Sequence, residues 1–138
     1  MSVGLRVRSN MWLVGTGDFF HALFSTISAR LEPDGWGSRF PVLMNELYQG
    51  ELASEHAPAA LAELDQVRAE LREHPPSDVV WDVEDRSKQP PWGDDISDDI
   101  TDLGNYFVTE DGKDLIDVMA EAIAYAGRSG AALRVEQI

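Results

Sequence analysis

The beginning of the chain alternates apolar and polar residues. Val3, Leu5 and Val7 are separated by a glycine and an arginine, which is the period-two pattern of a half-buried strand. The Ser-Asn pair at 9–10 can turn the chain into a second strand over 11–14. The sequence therefore predicts two consecutive strands at its start.

Apolar residues then recur at three- and four-residue spacing, which predicts helices. Asp18 is a suitable N-cap for the first helix, and a Pro-Asp-Gly sequence at 33–35 ends it. A shorter helical segment over about 41–48 follows, and the clearest helix runs from about 57 to 73, where two prolines stop it. The first helix carries an apolar stripe of Phe20, Leu23, Phe24, Ile27 and Leu31, and the long helix one of Ala57, Ala60, Leu61, Leu64, Val67 and Leu71.

The second half of the chain predicts three more strands and one more helix. Residues 79–83 and 106–109 are rich in β-branched and aromatic side chains, which favour strands. A turn at 110–112 leads into a helix, and residues 133–137 predict a last strand. The order β-β-α-α-α-β-β-α-β indicates an α+β fold. We expect a single small domain over residues 1–138, with a mixed or antiparallel sheet and about three to four helices. The last helix would turn Leu115, Val118, Met119, Ala122 and Ile123 inward.

The connection between the predicted strands at 79–83 and 106–109, about 84–105, is unusually long for a compact domain. Residues 84–102, called the acidic segment below, contain seven acids and two bases around a Pro-Pro-Trp-Gly sequence that can hold them in a fixed frame. We predict that this segment is the main partner-binding surface, because a pre-organised loop loses less entropy on binding. The alternative is that its aspartates cap turns while another face meets the partner. The candidate binding residues are Glu84, Asp85, Trp92, Asp94, Asp95, Asp98, Asp99 and Asp102.

The whole chain is strongly acidic, with 25 acidic against 11 basic residues and a net charge of −14. This charge argues against binding nucleic acid or anionic lipid, which carry the same sign. It favours a basic protein partner whose association is steered electrostatically. Solubility is the alternative explanation, but 12 of the acids fall within residues 82–117, which is more concentrated than solvation requires.

Composition also restricts the location and the chemistry. The chain has no cysteine, which excludes disulfides, thiol nucleophiles and cysteine-containing metal sites. No apolar run reaches the roughly 18 residues of a membrane helix, and the first residues lack the apolar stretch of a signal peptide. We expect a cytoplasmic protein with no membrane partner.

The sequence predicts no catalytic, cofactor-binding or metal-binding residues. His21, His56 and His74 are isolated and lack ligand-like spacing, so we interpret them as surface or capping residues. Paired carboxylates could serve in glycoside hydrolysis or bind calcium adventitiously. The run at 95–102, however, lacks the glycine and the glutamate of an EF-hand. Phosphate-binding glycine loops and serine nucleophile motifs are absent from the sequence.

Two tryptophans lie in predicted tight turns, Trp36 between glycines and Trp92 after two prolines. Such a side chain most often seals its loop onto the domain, and the alternative is an interface anchor. We favour sealing for both. Trp81 lies in a predicted strand and is expected in the core.

Six segments, taken in order, resemble the Immunity protein 70 family. They are 19–27 (FFHALFSTI), 35–41 (GWGSRFP), 45–50 (NELYQG), 79–85 (VVWDVED), 87–93 (SKQPPWG) and 99–109 (DITDLGNYFVT). The resemblance covers about residues 3–126, although Arg86 stands where an apolar residue is expected and no counterpart is recognised for the tail after Arg128. It implies an immunity protein, encoded beside a bacterial polymorphic toxin, that protects the producing cell. No catalytic or metal-binding residue is implied.

The partner implied by the resemblance is a cognate toxin domain. A cytoplasmic antidote implies a toxin that acts inside the cell, and nucleases are natural candidates because an enzyme that holds a polyanion is usually basic. Two alternatives remain open at this point. One is a small acidic hydrolase that uses the loop carboxylates, and the other is an acidic nucleic-acid mimic that inhibits a different DNA-binding protein.

Overall fold

The alternating residues at the start of the chain form the middle of an antiparallel sheet. The computed structural model describes residues 2–138. Its strands are β1 (Ser2–Val7), β2 (Asn10–Thr16), β3 (Glu51–Leu52) and β4 (Leu133–Gln137), and they form one sheet in the order β2-β1-β4-β3. Val3, Leu5 and Val7 of β1 are buried on its inner face. The predicted α+β fold is confirmed, and the sheet is antiparallel throughout.

Three α-helices complete the fold: the first and the third pack against this sheet, and the second packs against both of them. They are α1 (Gly17–Leu31), α2 (Ala57–Leu71) and α3 (Leu115–Ser129). Each buries its expected apolar stripe, except that Leu61 of α2 is only partly buried. Phe24 and Ile27 on α1, Leu64 on α2 and Met119 on α3 are fully buried. None of the helices of residues 2–138 is long and apolar enough to cross a membrane.

The predicted N-cap of α1 was wrong by two residues. Thr16 is the cap, and its Oγ1 accepts a hydrogen bond from the Phe19 amide at 3.1 Å. Asp18 lies in the first turn instead, where a negative charge is favourable at the positive end of the helix dipole. The turn of the first hairpin lies at residues 8–9, one residue earlier than predicted, and Arg8 adopts a positive φ of 56° there.

The predicted short helix at 41–48 forms, but it contains a π-helical turn over Leu43–Leu47. The Tyr48 amide donates to the Leu43 carbonyl at 3.0 Å, five residues back. Glu63 of α2 accepts the free amides of Val42 and Leu43 at 3.2 and 2.9 Å. Burial raises the pKa of the Glu63 carboxyl above its usual value, and the two backbone hydrogen bonds only partly oppose that shift.

The predicted strand at 79–83 is absent. The Val80 amide donates to Oγ1 of Thr26, a fully buried residue of α1, at 3.0 Å. That hydroxyl also lies 2.8 Å from the Ala22 carbonyl and 3.2 Å from the Val80 carbonyl. A helix side chain thus satisfies the backbone groups that a neighbouring strand would otherwise pair. Trp81 is in the core, as expected.

The predicted strand at 106–109 is reduced to a single bridge between Val108 and Asp114. Asp114 caps α3 by accepting from the Asp117 amide, so the helix begins before a second strand can extend. The hydrogen bonds of a short turn replace the ladder, including Thr109 amide to Lys113 carbonyl at 2.7 Å. The sequence also gave no sign of β3, a two-residue strand that pairs with β4.

One acidic residue has a purely structural position. Glu32 follows α1 and is only 2% exposed, yet its carboxylate forms no ion pair with any residue in the range 2–138. Its carboxylate accepts the amides of Gly37, Arg39 and Phe40, each at 3.0 Å. This carboxylate therefore fixes the loop between α1 and the π-helical turn.

Replacing Glu32 with alanine should destabilise the fold by about 3 kcal/mol, because it leaves one buried and two partly buried amide donors without an acceptor. Urea unfolding measures the loss. Glu121→Ala, at an exposed position of α3, should leave the midpoint nearly unchanged. Equal losses in the two variants would contradict the role given to Glu32.

Candidate functional site

The acidic segment forms a series of turns without any helix or strand. Its backbone hydrogen bonds are local: the Gly93 amide donates to the Pro90 carbonyl at 2.9 Å, and the Asp95 amide to the Trp92 carbonyl at 2.9 Å. Further along, Ile100 donates to Ser97 at 3.0 Å. Such bonds shape each turn, but they do not attach the segment to the rest of the domain.

Trp92 provides that attachment. Its indole Nε1 donates to the hydroxyl of Tyr106 at 2.8 Å. The ring meets Trp81 edge-on, with centroids 5.3 Å apart and planes at 88°, and it also meets Phe19 edge-on at 6.5 Å. Even so, the side chain remains 38% exposed. One part of the indole seals the loop onto the core, as the sequence predicted, and the other part faces outward.

Ile96 and Ile100 attach the segment further downstream, since both are partly buried and pack against the core. The sequence analysis missed them because they lie among aspartates. A signal was nevertheless present, because isoleucine is among the residues most often buried and two of them occur in an otherwise polar stretch.

Two of the eight candidate residues are used by the turns themselves. Asp85 accepts the hydroxyl and the amide of Ser87, and these hydrogen bonds lower the pKa of its carboxyl. Asp102 accepts the Gly104 amide at 2.7 Å and the Thr101 hydroxyl at 2.9 Å. For these two acids the structural alternative raised from the sequence is sufficient.

The remaining acids of the segment have no such use. Each is exposed, and none has a side-chain hydrogen bond or an ion pair with any residue in the range 2–138. These five unpartnered acids are Glu84, Asp94, Asp95, Asp98 and Asp99. Four of them fall within six consecutive residues, so a concentrated negative charge faces solvent without internal compensation.

A cavity of about 350 Å³ lies beside Trp92. Its walls are mainly apolar and come from three parts of the chain: Phe19 of α1, Ile96 and Ile100 of the acidic segment, and Tyr106 with Val108 beyond it. Asp95 and Ser97 supply the polar part of the lining. Val108 is 43% exposed, so an apolar surface is open to solvent next to the unpartnered acids.

The interpretation of His21 as a surface or capping residue was wrong. His21 is half-buried on α1, and its Nδ1 lies 2.6 Å from the Tyr48 hydroxyl. Its Nε2 lies 3.3 Å from Oδ1 of Asp82, whose Oδ2 is 3.5 Å from Lys88 Nζ. The network joins α1, the π-helical turn and the start of the acidic segment.

The electrostatics of this network do not suit nucleophilic catalysis. Burial raises the pKa of the Tyr48 hydroxyl, and the negative charges of Glu84 and Asp82 raise it further. An activated tyrosine would require a lowered pKa instead. Burial opposes ionisation of Asp82 as well, but hydrogen bonds from the Glu84 amide and His21 outweigh it and lower the pKa of that carboxyl.

The other histidines pair with single acids at the surface, His56 with Glu46 at 2.6 Å and His74 with Asp78 at 2.9 Å. Over residues 2–138, no three histidine or acidic side chains are arranged to hold a metal ion.

The sequence profile described as Immunity protein 70 matches residues 5–135, nearly the whole chain. The chain belongs to the Immunity protein 70 family. No curated protein and no solved structure matches it at a significant level. Membership supports an immunity function for this protein, in which it binds a toxin partner. The candidate site has to be compatible with recognition of another protein.

The unpartnered acids make a first prediction about stability. Replacing Asp94, Asp95, Asp98 and Asp99 together with asparagine should leave the melting temperature unchanged or raise it at low salt, because only like-charge repulsion is removed. Asp102→Asn should lower it, since that carboxylate accepts two hydrogen bonds. Circular dichroism melts at two salt concentrations measure both effects. A large loss in the fourfold variant would show that these acids support the turns.

The attachment of Trp92 makes a second prediction. Trp92→Phe should destabilise the fold by about 1 kcal/mol, since it deletes the hydrogen bond to Tyr106, and it should speed hydrogen exchange at the Gly93 and Asp95 amides. Trp12→Phe is the matched control, because Trp12 packs edge-on against Tyr125 without an indole hydrogen bond to any residue in 2–138. If both variants left exchange in the segment unchanged, another contact would hold it.

Proposed function

We propose that this protein neutralises a basic, intracellularly acting toxin by binding it through the acidic segment. The observation that carries the proposal is the set of five unpartnered acids on a frame anchored by Trp92. Exposed carboxylates without internal partners remain fully available to a cationic surface. Their concentration in one segment gives the field a direction, which favours fast association with a basic partner.

The anchored frame supports a binding function in a second way. The turns and the Trp92 indole hold the backbone of the segment before any partner arrives. Ordering a flexible loop would otherwise subtract from the binding free energy. An antidote must bind before the toxin acts, so a fast rate and a pre-organised surface both suit the task.

A nuclease is the class of toxin that best fits this surface. An enzyme that grips a nucleic acid backbone carries a basic groove, and a row of carboxylates matches the sign of the phosphates it normally holds. Inhibition would then follow from occupying or covering that groove. In this proposal the protein acts by binding alone and performs no reaction of its own.

The hydrolase alternative finds little support among the described residues. Of the unpartnered acids, Asp95 lines the cavity beside Trp92 and Asp94 lines a neighbouring surface cleft. Each of these cavities is lined by a single acid, and neither places a second carboxylate, a histidine or a lysine beside it as the other catalytic group. Acid–base catalysis requires two groups with separated pKa values next to one bound substrate.

The proposal is tested with the cognate toxin domain, which we expect to be encoded beside this gene. We expect the two proteins to co-purify and the antidote to protect cells that express the toxin. Replacing Asp94, Asp95, Asp98 and Asp99 with asparagine should slow association about tenfold at low salt and flatten its salt dependence. Stopped-flow mixing at two ionic strengths measures the rate.

The matched control removes four charges elsewhere. Glu55→Gln, Asp65→Asn, Glu73→Gln and Glu121→Gln are exposed positions outside the segment, and no side-chain partner for them occurs in residues 2–138. This variant should slow association only about twofold, through the smaller net charge. Equal slowing in both variants would show that net charge matters and that the segment itself does not. An unchanged rate in the segment variant would place the interface on another face.

A further inference from the structure

Two of the exposed apolar side chains of the domain lie beside the same cavity. Among residues 2–138 three large hydrophobic side chains are exposed, namely Trp92, Val108 and Ile138. Two of them line the same cavity although 16 positions separate them in the chain. Exposed aromatic and aliphatic surface beside a cavity is typical of a recognition site.

Packing holds the cavity open before any ligand arrives. Phe19 and Tyr106 are buried on the side facing the core, and both rings meet the indole of Trp92, with centroids 6.5 and 6.3 Å away. The hydrogen bond from Trp92 to Tyr106 fixes the orientation of the Trp92 indole. A volume of about 350 Å³ is at the small end for ligand sites, which suits a single side chain better than an extended ligand.

The charge around the cavity restricts its occupant. Asp95 contributes to the lining, and the charge of Asp94 reaches Tyr106, where it adds to the effect of burial and raises the pKa of the hydroxyl. Asp98 and Asp99 directly follow Ser97, another residue of the lining. No lysine, arginine or histidine lines the cavity. An occupant without positive charge would desolvate Asp95 and leave it unpaired, which is unfavourable.

We propose that this cavity binds an arginine side chain of the toxin. The methylene groups would lie against Ile96, Ile100 and Val108, and the guanidinium would lie over the aromatic rings and pair with Asp95. Arginine fits better than lysine because its guanidinium is weakly hydrated and stacks on aromatic faces. The inference rests on the proposed function, since it names the anchor through which the partner binds.

The first test uses the full chain without any toxin. N-acetyl-arginine-N-methylamide is titrated while NMR follows the Trp92 indole and the methyl groups of Ile100 and Val108. We expect saturable shifts at millimolar concentration, with the Trp12 indole as the unaffected control. The citrulline analogue, which has a similar shape but no charge, should bind at least about fivefold more weakly. The leucine analogue should bind more weakly still.

Three results would overturn the proposal in that test. Equal affinity for the citrulline analogue would mean that the charge of Asp95 has no part in binding. Stronger shifts with the leucine analogue would assign the cavity to an apolar anchor. Absence of any response up to about 100 mM probe, where even weak side-chain binding becomes visible, would mean that the cavity takes no side chain.

The second test uses the toxin domain and a substitution at Val108, which is exposed and does not belong to the hydrophobic core. Val108→Lys places the protein's own cation at the mouth of the cavity and should speed dissociation at least about tenfold, as for loss of an interface anchor. Ala59→Lys, at an exposed position of α2 that does not line the cavity, adds the same charge and should change dissociation by less than about threefold. Equal dissociation of the two variants would overturn the proposal.

The experiments distinguish a failure of the arginine site from a failure of the proposed function. If the wild-type protein did not bind the toxin domain, the proposed function would fail, whereas the probe titration would still report on the cavity. If the wild-type protein bound the toxin but Val108→Lys dissociated at the wild-type rate, the function would stand and the arginine site would be wrong.

Discussion

The position of the acidic segment depends on how the indole of Trp92 is held. The segment has no ladder of backbone hydrogen bonds, so nothing in its own secondary structure attaches it to the domain. The indole does so twice, through its hydrogen bond to Tyr106 and through its edge-on contact with Trp81. Trp81 is itself held near α1, because the neighbouring Val80 bonds to the buried Thr26 hydroxyl. The chain of contacts therefore runs from a helix, through one threonine and two tryptophans, to the exposed aspartates.

Regular elements were predictable where the pattern of one element was sufficient to define it. The stripes of α1 and α2 and the alternation of β1 are local properties, and the structure confirms them. The predictions of strands at 79–83 and 106–109 were wrong, because strand propensity indicates only that a residue fits a pleated surface. Whether a strand forms depends on a distant partner, and for Val80 that partner is the side chain of Thr26, 54 residues away. No local pattern contains that information.

The candidate site divides in the same way. The concentration of acids in one long connection was visible in the sequence, and so was the tryptophan that anchors it. The sequence could not separate Asp85 and Asp102, which the turns use, from the five unpartnered acids, because that distinction depends on hydrogen-bond geometry. Phe19 and Val108 were missed for another reason. They reach the cavity from α1 and from the region before α3, so only the folded chain brings them to Trp92.

The unpartnered acids and the anchored frame depend on each other physically. Like charges within six consecutive residues repel one another, and a flexible loop would relax by spreading them apart. The contacts of Trp92, Ile96 and Ile100 with the core oppose that relaxation, so the carboxylates remain concentrated. The repulsion between the concentrated carboxylates therefore offsets part of the stabilisation that these contacts supply. A cationic partner removes the repulsion when it binds, so the repulsion adds to the driving force for association. In the proposed complex, the aspartates that repel one another in the free protein would therefore be the ones that strengthen binding.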